Sequence, residues 1–300
     1  MGGKLYVVAT PIGNMEDITG RAKRILEEVD LVAAEDTRTA NILFKMLGIN
    51  NKTVSNYKFN EKRQTNYLIA ELESGRNVAL ISDAGTPCIS DPGGVLVKAA
   101  ADRGITVIGV SGASSVITAL SICGFSLESF AFYGFIPRKL GDVKRLFASV
   151  SNSGIDVAVF FESPKRIKKT LAYMSVETPQ AKLCLCNDLT KKFERVYRGT
   201  PKEILEELDG NPSADKGEYT LVVWLGSVHC TAESRHNADS SADNSADNGS
   251  QSPESMLIDY IVKNNCSIRE AISGLSKSGK GVLPKKEFYA ASIRLKELLS

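Results

Sequence analysis

The residues with the clearest chemical potential lie in the segment ALISDAGTPCISDPGG, from Ala79 to Gly94. A short apolar run opens the segment and predicts a buried strand. The loop that follows carries two carboxylates, Asp83 and Asp91, and no cation. Because carboxylates repel phosphate, a phosphate-binding loop is disfavoured. Backbone amides freed by glycine, combined with carboxylates, indicate a cationic ligand that also carries hydroxyl and amino groups.

Other unusual loops also follow predicted strands: ATPIGN at 9–14, AEDTR at 34–38 and VSGASS at 110–115. In open α/β sheets, ligands bind beyond the carboxyl ends of the strands. Each loop alone is equally well explained as turn chemistry, but together, at one edge, these loops indicate a shared ligand site. By elimination, S-adenosylmethionine fits, because it combines a sulfonium, an ammonium, a ribose diol and an adenine edge.

Several other kinds of site are disfavoured by the sequence. Its two histidines, His229 and His236, lie beside or inside a polar tract, which argues against a Ser–His–Asp triad, a His-ligated zinc and a histidine general base. No GxGxxG follows the first strand, which disfavours a dinucleotide site. The stretch GLSKSGKG resembles a P-loop, but Gly281 replaces the required Ser or Thr and the stretch lies between predicted helices. We therefore expect no metal site.

Length and composition predict the broad class of protein. A chain of 300 residues with 43% hydrophobic and 24% charged residues is typical of a soluble protein with two domains and an appendage. No stretch approaches the roughly 18 apolar residues of a membrane span, and the N-terminal apolar run is too short for a signal peptide. These features predict a cytoplasmic protein.

The charge is unevenly distributed. The net charge of the chain is +2, but residues 231–255 carry five acids and one base, which leaves a net of +6 for the remainder. The last 45 residues hold eight bases and four acids. The folded parts are therefore mildly basic, which suits a nucleic-acid partner without requiring one.

The order of predicted elements indicates an α/β fold. Residues 1–118 alternate short apolar strands with amphipathic helices, which predicts a mainly parallel sheet covered on both faces. Residues 119–226 contain five strand candidates, some without a helix between them, and predict a second α/β domain with a mixed sheet. Two helices interrupt these strands, one of them with Ser163 as its expected N-cap.

The C-terminal part has a different character. Residues 227–252 contain the repeat SADNSADN and have too little apolar content to fold, so they are expected to form a disordered linker. Residues 253–300 predict three helices, the second of them short, with a capping box at Ser267–Glu270. A helix-turn-helix unit that contacts RNA and a plain helical bundle are equally good interpretations of this segment.

Six stretches, in this order and spacing, resemble the RNA-modifying branch of the tetrapyrrole methylase superfamily: LYVVATPIGNMEDIT, VAAEDTRTANILF, ALISDAGTPCISDPG, FYGFIPRK, FFESPKR and LTKKFE. The resemblance covers about residues 4–226 and returns at LPKK near Leu283. It implies the two-domain tetrapyrrole-methylase-like fold, here with a small C-terminal helical appendage, and S-adenosylmethionine in the cleft between the domains. It also implies a homodimer and 2′-O-methylation of a cytidine ribose in the decoding region of 16S rRNA, within the small ribosomal subunit.

The resemblance also implies positions for the cofactor. The expected cofactor-binding residues are Pro11, Asp83, Ala84, Gly85, Ile89, Ser114 and Ser115. Three departures from the family pattern bear on catalysis and substrate handling. Ser111-Gly112-Ala113 stands where the family commonly has Pro-Gly-Pro, Lys165 stands in place of a histidine, and Asn187-Asp188 in place of Arg-Glu.

A proton acceptor for the ribose hydroxyl must be a carboxylate or a lysine, since histidine is absent from the motifs. The candidates are Glu35, Glu162 and Lys191, although a carboxylate at the position of Glu162 is explained nearly as well by a helix dipole. The expected RNA-binding residues are Arg38, Arg138, Lys139, Lys165, Arg166, Lys192, Lys285 and Lys286. Tyr57, Phe59 and Tyr133 are candidates for stacking on a splayed base.

Two other functions stay open from the sequence. One is methylation of a small tetrapyrrole on the same fold, which the basic C-terminal segment and the AEDTR and FFESPKR stretches disfavour. The other is a non-catalytic factor for RNA binding or ribosome assembly, which Asn187 makes conceivable.

Overall fold

A computed structural model describes residues 2–151, 153–224, 253–264, 267–277 and 284–298. They belong to two compact units, Met1–Thr231 and Ala232–Ser300. The predicted linker at 227–252 lies outside the described residues, and the domain boundaries proposed within the first unit stay predictions. No helix in the described ranges is both long enough and apolar enough to cross a membrane.

The first sheet is fully parallel, as the alternation of strands and helices predicts. Its strands, in the order β3-β2-β4-β1-β5, are β1 Leu5–Val8, β2 Leu31–Ala34, β3 Thr53–Ser55, β4 Val78–Ile81 and β5 Val107–Val110. The helices that connect or follow these strands are α1 Gly20–Glu28, α2 Thr37–Leu47, α3 Glu61–Glu73, α4 Gly94–Asp102 and α5 Ser115–Ile122. Every residue of β2 and β4 is buried, as expected for a sheet covered on both faces.

Alternate side chains of these strands pack on opposite layers of helices. Val32 and Ala34 of β2 face Leu26 of α1 and Phe44 of α2. Leu31 and Ala33 belong to a second apolar cluster with side chains of α3 and α4. The carboxyl ends of all these strands therefore meet at one edge, between the two helical layers.

The second sheet is mixed, also as predicted. Its strands, in the order β6-β7-β10-β8-β9, are β6 Phe130–Phe135, β7 Val157–Glu162, β8 Lys182–Asn187, β9 Arg195–Gly199 and β10 Tyr219–Trp224. Only β6 and β7 run parallel. Three helices contribute to the apolar cluster on one face, namely α6 Leu140–Ser151, α7 Ile167–Glu177 and α8 Pro201–Asp209.

Helix α5 belongs to the first sheet by connectivity and packs against the second. Its residues Val116, Ala119 and Leu120 share an apolar cluster with Val159 of β7 and Val222 of β10. This packing sets the carboxyl edge of the first sheet beside the end of β7 and the start of β10.

Three local predictions differ from the structure. Strand β3 was missed because it is only three residues long and half-exposed at the sheet edge. Helix α6 was missed although Val143, Phe147 and Val150 lie on its buried face. The expected N-cap at Ser163 is wrong, since α7 begins only at Ile167. The residues between form a turn, and the carbonyl of Ser163 accepts the N–H groups of Arg166 and Ile167.

The second unit contains three helices in its described residues: α9 Pro253–Asn264, α10 Ile268–Lys277 and α11 Lys285–Leu298. Leu257, Ala271, Ile272 and Phe288 form its buried core. The predicted capping box is confirmed, since the N–H and hydroxyl of Ser267 donate to Glu270 at 2.8 and 2.7 Å and the Glu270 N–H returns to the hydroxyl. An RNA-contacting role for this unit stays a prediction.

Candidate active site

A cavity of about 430 Å³ lies between the carboxyl edge of the first sheet and one end of the second. Its volume is within the range of small-molecule sites. The loops after β1, β2, β4 and β5 contribute Ile12, Glu35, Asp83, Ala84, Gly85, Thr86, Ile89, Asp91 and Ser114, and the first turn of α5 contributes Ser115 and Val116. The second sheet and its loops contribute Phe135, Phe161, Glu162, Ser163, Pro164, Leu189, Gly217, Glu218, Tyr219 and Thr220.

Direct backbone contacts hold the loops of the first sheet together. Thr10 and Gly85 exchange backbone hydrogen bonds of 2.9 and 3.1 Å, which join the loops after β1 and β4. The hydroxyl of Thr86 donates to the carbonyl of Ala113 at 3.2 Å, which adds the loop after β5. The wall of the cavity is therefore a connected surface and not a set of independent turns.

The loop after β4, residues 82–93, contains unusual backbone geometry. Gly85 and Gly93 have φ of +77° and +125°, and Cys88 and Ser90 adopt φ near 70° although they carry side chains. Left-handed geometry at non-glycine residues costs energy and clusters at functional sites. Glu61 of α3 stabilises the end of this loop by accepting the N–H groups of Gly93 and Val95 at 2.8 and 3.2 Å.

The first-sheet side of the cavity is acidic. Burial is the main reason that the pKa of Glu35 lies above its ordinary value, and the charges of Asp91 and Asp83 raise it further. Burial likewise raises the pKa of Asp83 and that of Asp91, and Asp83 adds to the effect on Asp91. Among the described residues, no three Asp, Glu, His or Cys side chains are arranged to hold a metal ion. The negative charge of the three carboxylates favours a cationic ligand on this wall.

Glu162 lies at the opposite wall and is only 2% exposed. One of its oxygens accepts the N–H of Ser163 at 2.7 Å, and the other accepts from Arg166 and from the hydroxyl of Thr170 at 2.8 and 2.7 Å. Arg166 also donates to the carbonyls of Ile136 and Pro137. Glu162 and Arg166 therefore tie the end of β7 to the segment that follows β6.

Lys191 lies beside the cavity and not in its lining. Its Nζ is 3.0 Å from Oδ1 of Asp188 and 2.9 Å from Oε2 of Glu218. Burial alone would lower the pKa of Lys191, but the hydrogen bonds to Glu218 and Asp188 outweigh it and hold that pKa above its ordinary value. Lys191 is consequently a cation. Its loop contacts the loop after β1, where the N–H of Asn14 donates to Thr190 at 3.1 Å.

The structure brings most of the predicted site residues together. Asp83, Ala84, Gly85, Ile89, Ser114 and Ser115 line the cavity with Glu35 and Glu162. Pro11 is not part of the lining, although Ile12 beside it is. Arg166 is half-buried in its contacts with Glu162, so its guanidinium is less available to RNA than expected.

The other predicted RNA-binding residues are exposed. Arg38 is bound to the carboxylate of Asp36, and Lys192 lies 5.6 Å from the ring centre of Phe193. Arg138, Lys139 and Lys165 are exposed on the first unit, and Lys285 and Lys286 on the second.

Apart from Glu162, sequence reasoning missed the second-sheet half of the cavity. Phe135, Phe161 and Leu189 are apolar residues in or next to strands, so they could not be told from core residues. The sequence indicates Gly217 only weakly as a site residue, because a glycine before a strand is common and does not by itself mark a ligand site. Glu61 gave none, since its partners at 93 and 95 are brought to it only by the fold.

Comparisons with known proteins agree with this architecture. The family model for tetrapyrrole (corrin/porphyrin) methylases matches residues 4–205. A protein of Neisseria meningitidis serogroup B named ribosomal RNA small subunit methyltransferase I is 42% identical over 224 residues, which are 75% of this chain and 77% of the relative. A Streptococcus pyogenes serotype M6 protein of the same name is 45% identical over 237 residues, covering 79% and 82%. The crystal structure of a diphthine synthase superposes with a TM-score of 0.57 at 14% identity, covering 74% of this chain and 90% of the other.

Proposed function

The chain belongs to the tetrapyrrole (corrin/porphyrin) methylase family, and from this premise we propose that it is an S-adenosylmethionine-dependent methyltransferase acting on the small-subunit ribosomal RNA. The specific reaction proposed is 2′-O-methylation of a cytidine ribose of 16S rRNA in the decoding region. The names of the relatives support the substrate class. The observation that carries the proposal is the acidic cavity, built by the carboxyl-end loops of the first sheet and closed by the second.

The residues of the cavity fit this methyl donor. Its sulfonium and ammonium groups are cations, and Glu35, Asp83 and Asp91 form an acidic wall that complements them. Burial is the main cause that raises the pKa of each of these carboxyl groups. The residues proposed to hold the donor are Asp83, Ala84, Gly85, Ile89, Ser114 and Ser115, with Pro11 beside them. When bound, S-adenosylmethionine supplies an electrophilic methyl group.

Glu35 is the proposed acceptor of the ribose hydroxyl proton. Burial and neighbouring carboxylates raise its pKa, which makes it a stronger base than an exposed glutamate. Glu162 is less suited to this step because both of its oxygens already accept hydrogen bonds. Glu162 is instead an orienting group that fixes the opposite wall.

Lys191 contributes a positive charge and does not accept the proton. Its raised pKa keeps it protonated, and its carboxylate partners hold it at the rim. Alignment of the ribose in this closed cleft contributes the larger part of the rate, because positioning alone is worth roughly 7–11 kcal/mol. The exposed cations Arg38, Arg138, Lys139, Lys165 and Lys192 bind the RNA backbone around the cavity.

The experiment that tests the proposal offers the protein two acceptors. The full chain is incubated with methyl-labelled S-adenosylmethionine and either unmethylated 30S subunits or a porphyrinogen. We expect label in 16S rRNA, recovered after nuclease digestion as 2′-O-methylcytidine. Label in the porphyrinogen would instead establish a tetrapyrrole methylase, and donor binding without transfer to either acceptor would establish a non-catalytic factor. The homodimer implied by the family resemblance is tested separately by light scattering.

A further inference from the structure

We propose that residues 56–63, here called the aromatic loop, form a docking platform for an unpaired nucleotide of the RNA that flanks the target ribose. The aromatic loop connects β3 to the first turn of α3. This inference rests on the proposed function, since it assigns to the same reaction a surface that binds its single-stranded substrate.

The first observation is the exposure of two aromatic rings. Phe59 is 90% exposed and Tyr57 is 43% exposed. Their ring centres are 6.3 Å apart with an interplanar angle of 63°, an edge-to-face arrangement that leaves ring surface open to solvent. Burial of a phenylalanine side chain stabilises a folded protein, and the fold does not use this stabilisation at Phe59. Every base has a π-face, and stacking on such a ring is the usual way in which unpaired bases are bound.

The second observation is that the aromatic loop is rigidly held. Asn60 accepts the N–H of Tyr57 at 2.8 Å, donates its side-chain amide to the carbonyl of Ser55 at 3.1 Å and gives its own N–H to the Tyr57 carbonyl at 3.0 Å. Next along the chain, Glu61 accepts the N–H groups of Gly93 and Val95. The backbone that carries the rings is therefore held in place and attached to the end of the loop that lines the cavity.

The third observation is the charge around the rings. Lys58, Lys62 and Arg63 are exposed, and none of them forms an ion pair with another described residue. The one acid of the loop, Glu61, is directed to backbone N–H groups instead. Aromatic rings combined with unpaired cations complement a strand of stacked bases and phosphates.

The position of the aromatic loop relates it to the reaction. Ser55 pairs with Ala34 in parallel register, so the loop leaves the sheet beside Glu35. Neighbouring strands lie about 4.8 Å apart. A nucleotide stacked on the aromatic loop is thus a neighbour of the one whose ribose enters the cavity.

The test uses the full chain with F59A, with F59W to restore a ring and with V176A as a control, since Val176 is a 76% exposed residue of α7. Binding to a fluorescent single-stranded RNA of the decoding-region sequence is measured by anisotropy, and donor affinity by calorimetry. Loss of one stacked base predicts that F59A weakens RNA binding about 5- to 150-fold. F59W should recover most of this affinity, V176A should lose none, and all variants should bind the donor equally.

The dependence of RNA affinity on salt concentration separates the contribution of the charged residues from that of stacking. K62A and R63A should each lower the slope of log affinity against log salt concentration by about 0.7, whereas F59A should leave the slope unchanged. If F59A binds RNA like the parent chain, or if F59W binds as poorly as F59A, the docking platform is refuted. If the parent chain does not bind this RNA, the docking platform is refuted, and the labelling of 30S subunits decides the proposed function separately. If RNA binding depends on Phe59 but no methyl group is transferred to 30S subunits, the docking platform is supported and only the proposed function is refuted.

Discussion

Two glutamates that face the same cavity differ in what surrounds their carboxyl groups. Glu162 is almost fully buried, and its oxygens accept three hydrogen bonds, so its charge is compensated where it lies. Glu35 is only partly buried, but it faces Asp83 and Asp91 and has a raised pKa. A base needs an available lone pair and a high proton affinity. The raised pKa of Glu35 suits it to take a proton, whereas both oxygens of Glu162 already accept hydrogen bonds.

E35Q should therefore lower kcat for methyl transfer by about 10²- to 10⁴-fold, the usual contribution of a general base. The parent rate should rise with pH through the raised pKa of Glu35, because only the carboxylate accepts a proton, and E35Q should lose this rise. Single-turnover rates across the acid range, with donor affinity from calorimetry, provide the measurement. A larger loss of kcat in E162Q than in E35Q would reverse the two roles.

The carboxylate of Asp91, which is proposed to attract the cationic donor, lowers the stability of the folded chain. Burial and Asp83 raise the pKa of Asp91, so its ionised form is less favourable in the folded chain than in the unfolded chain. At neutral pH the carboxylate is ionised in both states, and the folded state carries this full penalty. We expect D91N to raise the melting temperature at pH 7 while weakening donor binding by roughly tenfold, or about 1.4 kcal/mol.

The gain from D91N should shrink as the pH falls through the raised pKa towards and below the ordinary value of 3.8, where Asp91 is protonated in both states. D102N is the control, since Asp102 is exposed on α4 and paired with Lys98 at 2.6 Å. D102N should not raise the melting temperature at pH 7. Scanning calorimetry at several pH values measures both variants, and a D91N protein that is less stable at pH 7 would contradict the argument.

Two buried threonines on helices provide a further contrast. The hydroxyl of Thr65 has no hydrogen-bond partner among the described residues, whereas that of Thr170 donates to Glu162 at 2.7 Å. Valine has the same shape without the hydroxyl. T65V should stabilise the fold by about 1 kcal/mol, and T170V should destabilise it by about 1.5–3 kcal/mol because it removes a hydrogen bond to a charged group. Urea midpoints that shift in the same direction for both variants would contradict this prediction.

At the scale of elements, the site depends on how closely the loops of the first sheet approach one another. Gly112 stands where the loop after β5 passes over Ala9, and a Cβ at position 112 would lie 2.9 Å from the Cβ of Ala9. Ala9 precedes Thr10, which pairs with Gly85 of the cavity wall. The glycine is thus required for the contact between the loops, and in this chain Ser111 and Ala113 flank it.

G112A should therefore separate these loops. We expect a loss of stability of about 1–3 kcal/mol, typical of overpacking, and weaker donor binding. G94A is the matched control, since Gly94 opens α4 and a Cβ there meets no described atom within 4 Å. It should be neutral or stabilising by up to about 1 kcal/mol, because glycine disfavours helices. Equal donor affinity in both variants, measured by calorimetry, would show that the close approach is unimportant.

The elements that could be predicted from the sequence are those whose signal is local. Strands β2 and β4 are uninterrupted apolar runs, and the Ser267–Glu270 capping box is a spacing of three residues. The Glu162–Arg166 pair carries no such signal, because a spacing of four residues brings side chains together within a helix, whereas Glu162 ends β7 and Arg166 precedes α7. Strand β3 carries no such pattern, because three half-exposed residues at a sheet edge look like a loop.

The way the two sheets pack explains why the second-sheet wall, apart from Glu162, escaped prediction. The first-sheet wall comes from loops that follow strands, and general rules place ligands there. The second-sheet wall consists of residues such as Phe161 and Tyr219, whose types fit an apolar core equally well. Their exposure to the cavity follows from α5 packing on the second sheet, a contact between distant segments that periodicity cannot reveal.

Variants of the second unit can test whether RNA binding extends beyond the first unit. Lys285 and Lys286 begin α11 and are exposed, and the basic C-terminal segment predicts that they contact phosphates. In the full chain, K285A/K286A should weaken binding to 30S subunits at low salt. The slope of log affinity against log salt concentration should fall by about 1.4 to 1.8, since each phosphate contact releases counterions.

Donor affinity should not change in this variant, because the cavity is built from the first unit alone. K98A/K202A is the control, since it removes the same charge from two exposed lysines that pair with Asp102 and Glu206. If both double variants change the slope equally, the effect is one of net charge. If neither changes it, the helical unit does not contact the RNA, and the cations of the first unit alone carry the interaction.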